Sequence, residues 1–533
     1  MSDQLPILIV LAPLFGALII GLVGSRDHRV CVPVVLVALL TSLIAVIGTL
    51  IQVLETGPVD YFVGGWEPGK MAPGVHGPVE IAKGFGIQLR VDTLNGFLLL
   101  AIAIVSIFVS IFSIRRANQE AASKTPQFYT LYLLLCVGLF GMTITGDAFN
   151  LFVLVEVTSL TSYALIAMGR NRRGTMAAFN YILMGTVGAS FYLLGVGYLY
   201  LKTGSLNMEH IQEVLSANDF EIGRSKPVMV AFILIMVGIW IKMAFFPLYG
   251  WLPNAYSYCP STSSCLLAPL MTKISVYIMI RVMLSVFGWE WIFIEYAGWS
   301  DAVVILAVIA ILAGSTLALA QRELKKMLCY LIVAEVGYMV GGAWLGDPER
   351  WGMSGAVYHI LADAFMTLCL FLCAGIFAKK ANATRIEDLS GMFKKMPLTM
   401  TGFVVGALAM IGIPPTCGFF SKFYLIRGGI EGGHWEFVIA LIISSLVNVV
   451  LFFRIFEIAF FGAKPAEGHD HAHHHDEDDH SANEQGPIDE PTLLEREAPL
   501  RSLIPLFGTA VIIILLGVYN GQIIEWIRLT IKP

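Results

Sequence analysis

Apolar stretches separated by short polar connectors recur from one end of this chain to the other. A helix crosses a bilayer with about 20 consecutive apolar residues. Fourteen stretches meet that measure, at 5–24, 30–53, 93–114, 129–146, 148–168, 175–201, 228–248, 262–286, 301–320, 326–345, 354–378, 398–426, 437–461 and 501–520. The pattern predicts an all-α, polytopic membrane protein. Two of the stretches are interrupted by prolines, which remove a backbone donor and clash with the preceding turn. Pro247 and Trp251-Leu252-Pro253 follow the run that ends AFILIMVGIWIKMAFF, and IGIPPTCGFF sits inside 398–426, so the seventh and twelfth spans are predicted to be broken helices.

The composition agrees with this reading: of 533 residues, 57% are hydrophobic and only 14% charged, which excludes an ordinary soluble enzyme. The net charge of -5 resides mostly in loops and implies no nucleic-acid partner. The start, MSDQLPILIV, lacks a basic segment and a small-residue cleavage site, so it reads as a retained first span rather than a signal peptide. Basic clusters fall in alternate loops: Arg26 and Arg29; Arg115, Arg116 and Lys124; Arg170, Arg172 and Arg173; Arg322, Lys325 and Lys326; Lys379, Lys380, Arg385, Lys394 and Lys395. Loops rich in lysine and arginine stay in the cytoplasm. With an even number of spans, both termini are then expected outside a bacterial cytoplasmic membrane. Eight cysteines are scattered through apolar segments without a CxxC pair and read as packing residues rather than iron–sulfur or zinc ligands. No nucleotide fingerprint or heme motif is present, so no cofactor is expected in this chain.

Residues 462–500 break the apolar pattern and contain GHDHAHHHDEDDH. His469, His471, His473, His474 and His475 are candidate metal ligands by chemistry, because imidazole and carboxylate suit several divalent ions. No helical spacing preorganises them, and the preferred reading is a solvated acidic tether on the cytoplasmic side.

A charge at the centre of a membrane helix costs about 2.5–3.5 kcal/mol on insertion scales and calls for a partner or a role. Ionisable residues inside the spans are Glu156, Lys242, Lys273, Arg281, Glu335, His359, Asp363, Lys422, Arg454 and Glu457. Glu156 and Glu335 lie 179 residues apart, Lys242 and Lys422 180, and Lys273 and Arg454 181. That common offset predicts two five-helix units, 129–286 and 301–461, inverted in the membrane because five is odd. A three-helix region (1–128) precedes them, and a C-terminal helix (501–533) follows the loop. Inverted repeats with broken helices at matching positions mark secondary transporters. Arg281, Arg454 and Glu457, near span ends, read as structural or as reaching the membrane surface. Glu156, Lys242 and Lys273, and then Glu335, His359, Asp363 and Lys422, are read as a proton relay. His359 and Asp363 are four residues apart and so share a helix face.

With these residues in view, the chain resembles the family of proton-translocating membrane subunits shared by complex I, membrane hydrogenases and Mrp-type cation/proton antiporters. GDAFNLFVLVEVTSL resembles the fifth-span glutamate motif, IKMAFFPLYGWLP the seventh-span lysine motif, and MTKISVYIMIRV the eighth-span pattern of the D-type Mrp subunits. LKKMLCYLIVAEVGYM and IGIPPTCGFFSKF are similar to the tenth and twelfth spans. The resemblance assigns Glu156, Lys242, Lys273 and Lys422 to the proton path. Against the family pattern, Tyr249 replaces a histidine, and Asn254 and Tyr256 replace an aspartate and a histidine. Asp363 and Thr367 stand where histidine and lysine are usual, and Glu335 where a neutral polar residue is frequent. The inner half of the path thus has two extra acids and one base fewer, which brings a cation-binding role for Glu335 and Asp363 into view.

The resemblance implies a D-type subunit of an Mrp-like antiporter, a transporter component rather than an enzyme, moving protons against a monovalent cation, Na+ first. It would act with other membrane subunits in the lipid bilayer. The alternative is the pump module of a complex I-like or hydrogenase-type complex, whose redox groups would lie in partner subunits. Coupling to another driven process, such as inorganic carbon uptake, is a third possibility.

Overall fold

The computed structural model describes residues 4–24, 26–74, 77–120, 124–169, 171–462 and 497–531. In chain order its helices are α1 (Leu5–Val23), α2 (Cys31–Thr56), α3 (Thr93–Ser113), α4 (Arg116–Glu120), α5 (Thr125–Ile144), α6 (Ala148–Ala167), α7 (Arg172–Thr203), α8 (Met208–Phe220), α9 (Lys226–Met243), α10 (Leu252–Tyr258), α11 (Ser261–Val282), α12 (Ala297–Leu319), α13 (Leu324–Trp344), α14 (Trp351–Lys380), α15 (Met392–Lys395), α16 (Pro397–Ile411), α17 (Cys417–Glu431), α18 (Trp435–Phe461), α19 (Leu500–Val518) and α20 (Asn520–Ile531). Among the described residues, thirteen helices are long and apolar enough to cross a membrane. The remaining predicted span, 398–426, is divided between α16 and α17, 15 residues each. Together they account for the fourteen apolar stretches.

Both predicted breaks are present. α9 ends at Met243, where Ala244 takes a left-handed conformation (φ 59°), and the chain turns before α10. α16 ends at Gly412 (φ 94°), where a residue without a Cβ accepts the left-handed turn that alanine adopts only at a cost of about 1–2 kcal/mol. Pro414 and Pro415 then prevent the helix from resuming before Cys417. α19 lies across this second break, and a Cβ at Gly517 would come within 1.9 Å of the Pro415 carbonyl oxygen.

Burial increases toward α11, α13 and α14: α14 is buried along its whole apolar length, whereas α1, α2, α7 and α12 leave large apolar side chains exposed. Exposed apolar faces are expected where lipid or neighbouring subunits surround a helix bundle. Small residues set the tightest crossings. A Cβ at Gly188 of α7 would approach the Gly238 carbonyl of α9 to 3.0 Å, and one at Gly314 of α12 would reach the Ala334 amide of α13 to 2.7 Å. Without a hydrophobic drive between helices in lipid, such close approach supplies much of the packing attraction.

The two ends of the bundle differ. On one, β1 (Val59–Phe62) pairs antiparallel with β4 (Gln88–Val91), with Val59 opposite Val91, beside a second hairpin of β2 (Met71–Gly74) and β3 (Gly77–Glu80). These hairpins interrupt the N-terminal region, which the apolar pattern treats as three helices alone. α8 is tied to them by Lys83–Glu213 at 3.1 Å and by an Arg90–Glu209 ion pair. α20 belongs to this end, with Trp526 stacked on Phe97; the region predicted as one C-terminal helix is therefore two helices. At the other end, Glu120 accepts from the Thr262 amide at 2.9 Å, Lys325 donates to Ser261 at 3.0 Å, and the Leu324 amide donates to Thr384. Arg173 of a fourth basic loop lies over the Tyr258 ring beside them. The histidine-rich sequence 469–480 lies outside the described residues.

The α13–α14 turn carries a pH-sensitive contact. The Asp347 carboxylate, almost fully buried, accepts from the amides of Trp351 and Gly352 at the start of α14. Burial pushes its carboxyl up to about 6 from an ordinary value of 3.8. A carboxyl raised in the folded state stabilises the fold fully below its unfolded value, and that contribution is lost as pH rises through about 6. Two pH units correspond to about 3 kcal/mol. Unfolding of the detergent-solubilised protein should therefore show rising stability from pH 7 to pH 4 attributable to this group, and Asp347→Asn should flatten that slope. An unchanged slope in the variant would refute the assignment.

Candidate functional site

The first break positions a lysine at its edge. Lys242, in the last turn of α9, donates to Ser159 Oγ at 2.7 Å and lies 3.4 Å from Glu156 Oε1, both on α6. Ser159 sits three residues after Glu156, the spacing that places two side chains on one helix face. The ammonium is nearly buried, whereas the Glu156 side chain is 31% exposed, so the pair lies near the flank of the bundle. Gly185 of α7 clears room for it: a Cβ there would fall 1.9 Å from the Tyr163 hydroxyl and 3.5 Å from Lys242 Nζ. A cavity of about 30 Å³ adjoins the lysine, lined in part by Thr158, Ser159, Lys242 and Ser275. That is room enough for a water with polar neighbours.

The centre of the bundle holds a second pair. Lys273 of α11 and Asp363 of α14 are both fully buried and meet at 2.9 Å. Thr367 completes the set: it accepts from Lys273 at 3.2 Å and donates to Asp363 Oδ1 at 2.7 Å, while the Ala268 carbonyl takes another ammonium proton at 3.2 Å. The two departures from the family pattern in this helix are thus neighbours in one cluster. The ammonium of Lys273, arriving from α11, faces the carboxylate and hydroxyl of α14.

The third group is an acid–base pair within hydrogen-bond range of a serine. His359 Nε2 lies 2.6 Å from Glu335 Oε2, and its Nδ1 lies 2.8 Å from Ser421 Oγ. The Ser421 hydroxyl donates to the Gly418 carbonyl at 2.9 Å, and a hydroxyl has a single proton. When that proton stays on the Gly418 bond, His359 Nδ1 is the donor to Ser421, and the proton between Nε2 and Oε2 makes the pair either imidazolium and carboxylate or imidazole and carboxylic acid. Glu335 Oε1 is buried without a hydrogen-bond partner. Glu335 thus pairs with His359, and not with Lys422 as Glu156 pairs with Lys242.

Lys422 occupies the second break from the opposite side. Lys242 precedes its break, whereas Lys422 lies in the second turn of α17 and reaches back to the end of α16. It donates to the carbonyls of Met410 at 2.8 Å and Ile411 at 3.3 Å, and to Ser445 Oγ at 3.2 Å. Its Nζ stands 5.3 Å from the centre of the Tyr338 ring.

Of the other intramembrane charges, Arg281 pairs with Asp92 at 2.7 Å and donates to Tyr277 at 2.9 Å. Asp92 also caps α3: its carboxylate accepts from the Asn95 amide, and its own amide donates to Asn95 Oδ1. Burial would raise the Asp92 carboxyl, but Arg281 beside it holds it below the usual carboxylate range. Arg454 and Glu457 are exposed on α18. Sequence reasoning did not single out Ser159, Ser421, Ser445 or Asn448. Ser159, three residues from Glu156, and Ser421, beside Lys422, carried a local signal; Ser445 and Asn448 carried none. The five candidate histidines of 469–475 lie outside the described residues.

Residues 145–448 match the family described as NADH:quinone oxidoreductase/Mrp antiporter, TM. The chain is similar to NADH-quinone oxidoreductase subunit N of Desulforudis audaxviator, 39% identical over 534 residues and 98% of each chain. It is also similar to the D-type Na(+)/H(+) antiporter subunit of Bacillus subtilis, 28% identical over 86% of this chain and 87% of the relative. Among solved structures, a chain of the archaeal membrane-bound sulfane sulfur reductase superimposes with a TM-score of 0.80 at 27% identity, covering 98% of this chain and 96% of that one. A chain of the Mrp complex from a Dietzia species does so at 0.81 and 23%, over 99% and 96%, and shares the fold. A match across more than half the chain, and a full-length relative near two-fifths identity, place this protein in the NADH:quinone oxidoreductase/Mrp antiporter membrane-subunit family.

Proposed function

We propose that the chain is the proton-conducting subunit of a multisubunit monovalent cation/proton antiporter, with Na+ as the cation, acting with other membrane subunits in a bacterial cytoplasmic membrane. The observation that carries this reading is the succession of buried ionisable groups across both breaks: Glu156 and Lys242, Lys273 and Asp363, Glu335 and His359, and Lys422. Each ammonium or imidazole has oxygen partners within reach that can take up or hand on its proton. Lys242 loads from Glu156, and the adjoining cavity, which also touches Ser275 of α11, offers a water-mediated step toward Lys273. The Glu335–His359 pair holds its shared proton before Lys422.

Two further parts of the reading rest on the arrangement of helices. The inverted five-helix repeat is supported by matching neighbour relations. In α5, α6, α7, α9 and α11, and again in α12, α13, α14, α16–α17 and α18, consecutive members pack together and the last returns to the first. Basic loops meeting at one end of the bundle support a cytoplasmic face there and termini outside. A second reading, the pump module of a redox complex, is favoured by the 39% identical relative, which is named for a quinone oxidoreductase. Copurification of flavin or iron–sulfur absorbance with a tagged chain would select the second reading; its absence together with Na+-driven proton movement would select the first.

Lys242 tests the relay. Lys242→Met removes the proton site, and Lys242→Arg retains a charge that cannot be released near neutral pH. Both should reduce Na+-dependent proton flux in vesicles holding the assembled complex by at least about tenfold. Robust flux by the arginine variant, at matched assembly, would make the lysine structural.

The central pair tests whether Lys273 and Asp363 act as one unit. Lys273→Met or Asp363→Leu alone leaves an uncompensated buried charge and should destabilise the protein by about 3–5 kcal/mol. The double variant should recover most of that stability yet carry no protons. Denaturant unfolding together with vesicle flux provides both readouts, and a double variant as unstable as the singles would refute the pairing.

A further inference from the structure

The two breaks close their open helix ends by different chemistry. At the first, Ile241 O accepts from the Trp251 indole at 3.0 Å and Trp240 O accepts from the Phe245 amide at 3.0 Å. Both donors are fixed and do not titrate. At the second, Leu408 O likewise accepts from backbone amides, of Gly412 and Ile413, but the last two carbonyls, Met410 O and Ile411 O, are covered by the Lys422 ammonium, which Ser445 Oγ also receives. Asn448, one turn beyond Ser445 on α18 and 1% exposed, donates to the same Met410 carbonyl at 3.3 Å, leaving its Oδ1 buried without a partner. Three oxygens of neutral groups thus hold one movable cation at the negative end of a helix dipole, and the amide bonded to the first of them carries a fourth, unpartnered oxygen.

We propose that this cage, formed by Met410 O, Ile411 O, Ser445 Oγ and Asn448 Oδ1, is a monovalent-cation site for which the Lys422 ammonium and a free Na+ compete. Carbonyls at the ends of broken helices are suited to Na+. The set is entirely neutral, whereas a divalent ion is ordinarily held with carboxylates. Of the nearby carboxylates, Asp363 pairs with Lys273 and Glu335 pairs with His359 through Oε2. The exchange balances: Na+ enters the oxygens, the Lys422 N–H bond breaks to give a neutral amine, and one proton leaves to the aqueous phase. The charge within the cage is unchanged. The acidic, basic and phenolic groups facing Lys422 are Glu335 and Tyr338 of α13 and His359 and Asp363 of α14. α16 has no ionisable side chain, and those of α18 and α19 lie toward the helix ends. The inference rests on the antiporter reading for its purpose but not for its test.

The test is equilibrium binding of radiolabelled Na+ to the purified full chain, with K+ as competitor, together with proton release in weakly buffered solution. The parent should bind saturably, release one proton per Na+, and bind about tenfold more tightly for each unit rise in pH while the ammonium remains protonated. Lys422→Met should bind Na+ with no proton release and no pH dependence. Ser445→Ala and Asn448→Ala should each weaken binding by about tenfold. Absence of saturable binding, or binding indifferent to all three substitutions, would overturn the proposal. Na+ binding with proton release from a chain whose complex shows no proton flux would leave the site standing and reject the antiporter reading instead.

Discussion

An ionised side chain in the hydrocarbon layer needs a partner, and the interior of this protein is organised by that requirement. Lys273 and Asp363 lie on different helices with no exposure at all, and each is tolerable there only because the other is 2.9 Å away. Removing two charges from water costs several kcal/mol per ion in practice, repaid only with good geometry and additional hydrogen bonds. Thr367 and the Ala268 carbonyl supply those bonds. α11 and α14 must therefore sit face to face at one register, and α14 becomes the most buried helix of the bundle.

The same requirement explains why the helices are broken where they are. An interrupted helix exposes backbone carbonyls, which within a membrane are acceptable only against protein or water. The first interruption is sealed by an indole and a backbone amide, leaving Lys242 free to face Glu156 across the gap beside Gly185. The second is sealed by Lys422 itself. Two lysines that look equivalent by spacing thus have different duties: one is paired with a partly exposed carboxylate, and the other closes a helix end.

Between them, the Glu335–His359 pair shares a proton at 2.6 Å, with Ser421 on the far nitrogen of the ring. Buried acid–base pairs of this kind are well placed to gain or lose a proton when a neighbouring charge moves. The proximity of Lys422 makes the state of that pair and the occupancy of the α16 carbonyls physically linked.

The spans, the two proline breaks and the list of intramembrane charges were legible in the sequence because each follows from a local rule: apolar length, a missing backbone donor, and the cost of a charge in lipid. The family motifs also singled out Glu156, Lys242, Lys273 and Lys422 from one line of text. Partner choice was not legible. Nothing local tells Glu335 to bond to His359 rather than Lys422, or places Lys273 against Asp363, because those choices depend on how helices separated by tens of residues rotate and cross. The hairpins near residues 59–91 and the amphipathic α20 were hidden for a related reason. Their apolar runs are too short to register as spans, and they hold their shape by contacts with α8 and α3. The sequence determined which groups had to be buried and where the backbone had to break; the tertiary structure decided which of those groups neutralise one another, because electrostatic pairing is set by distance in space and not along the chain.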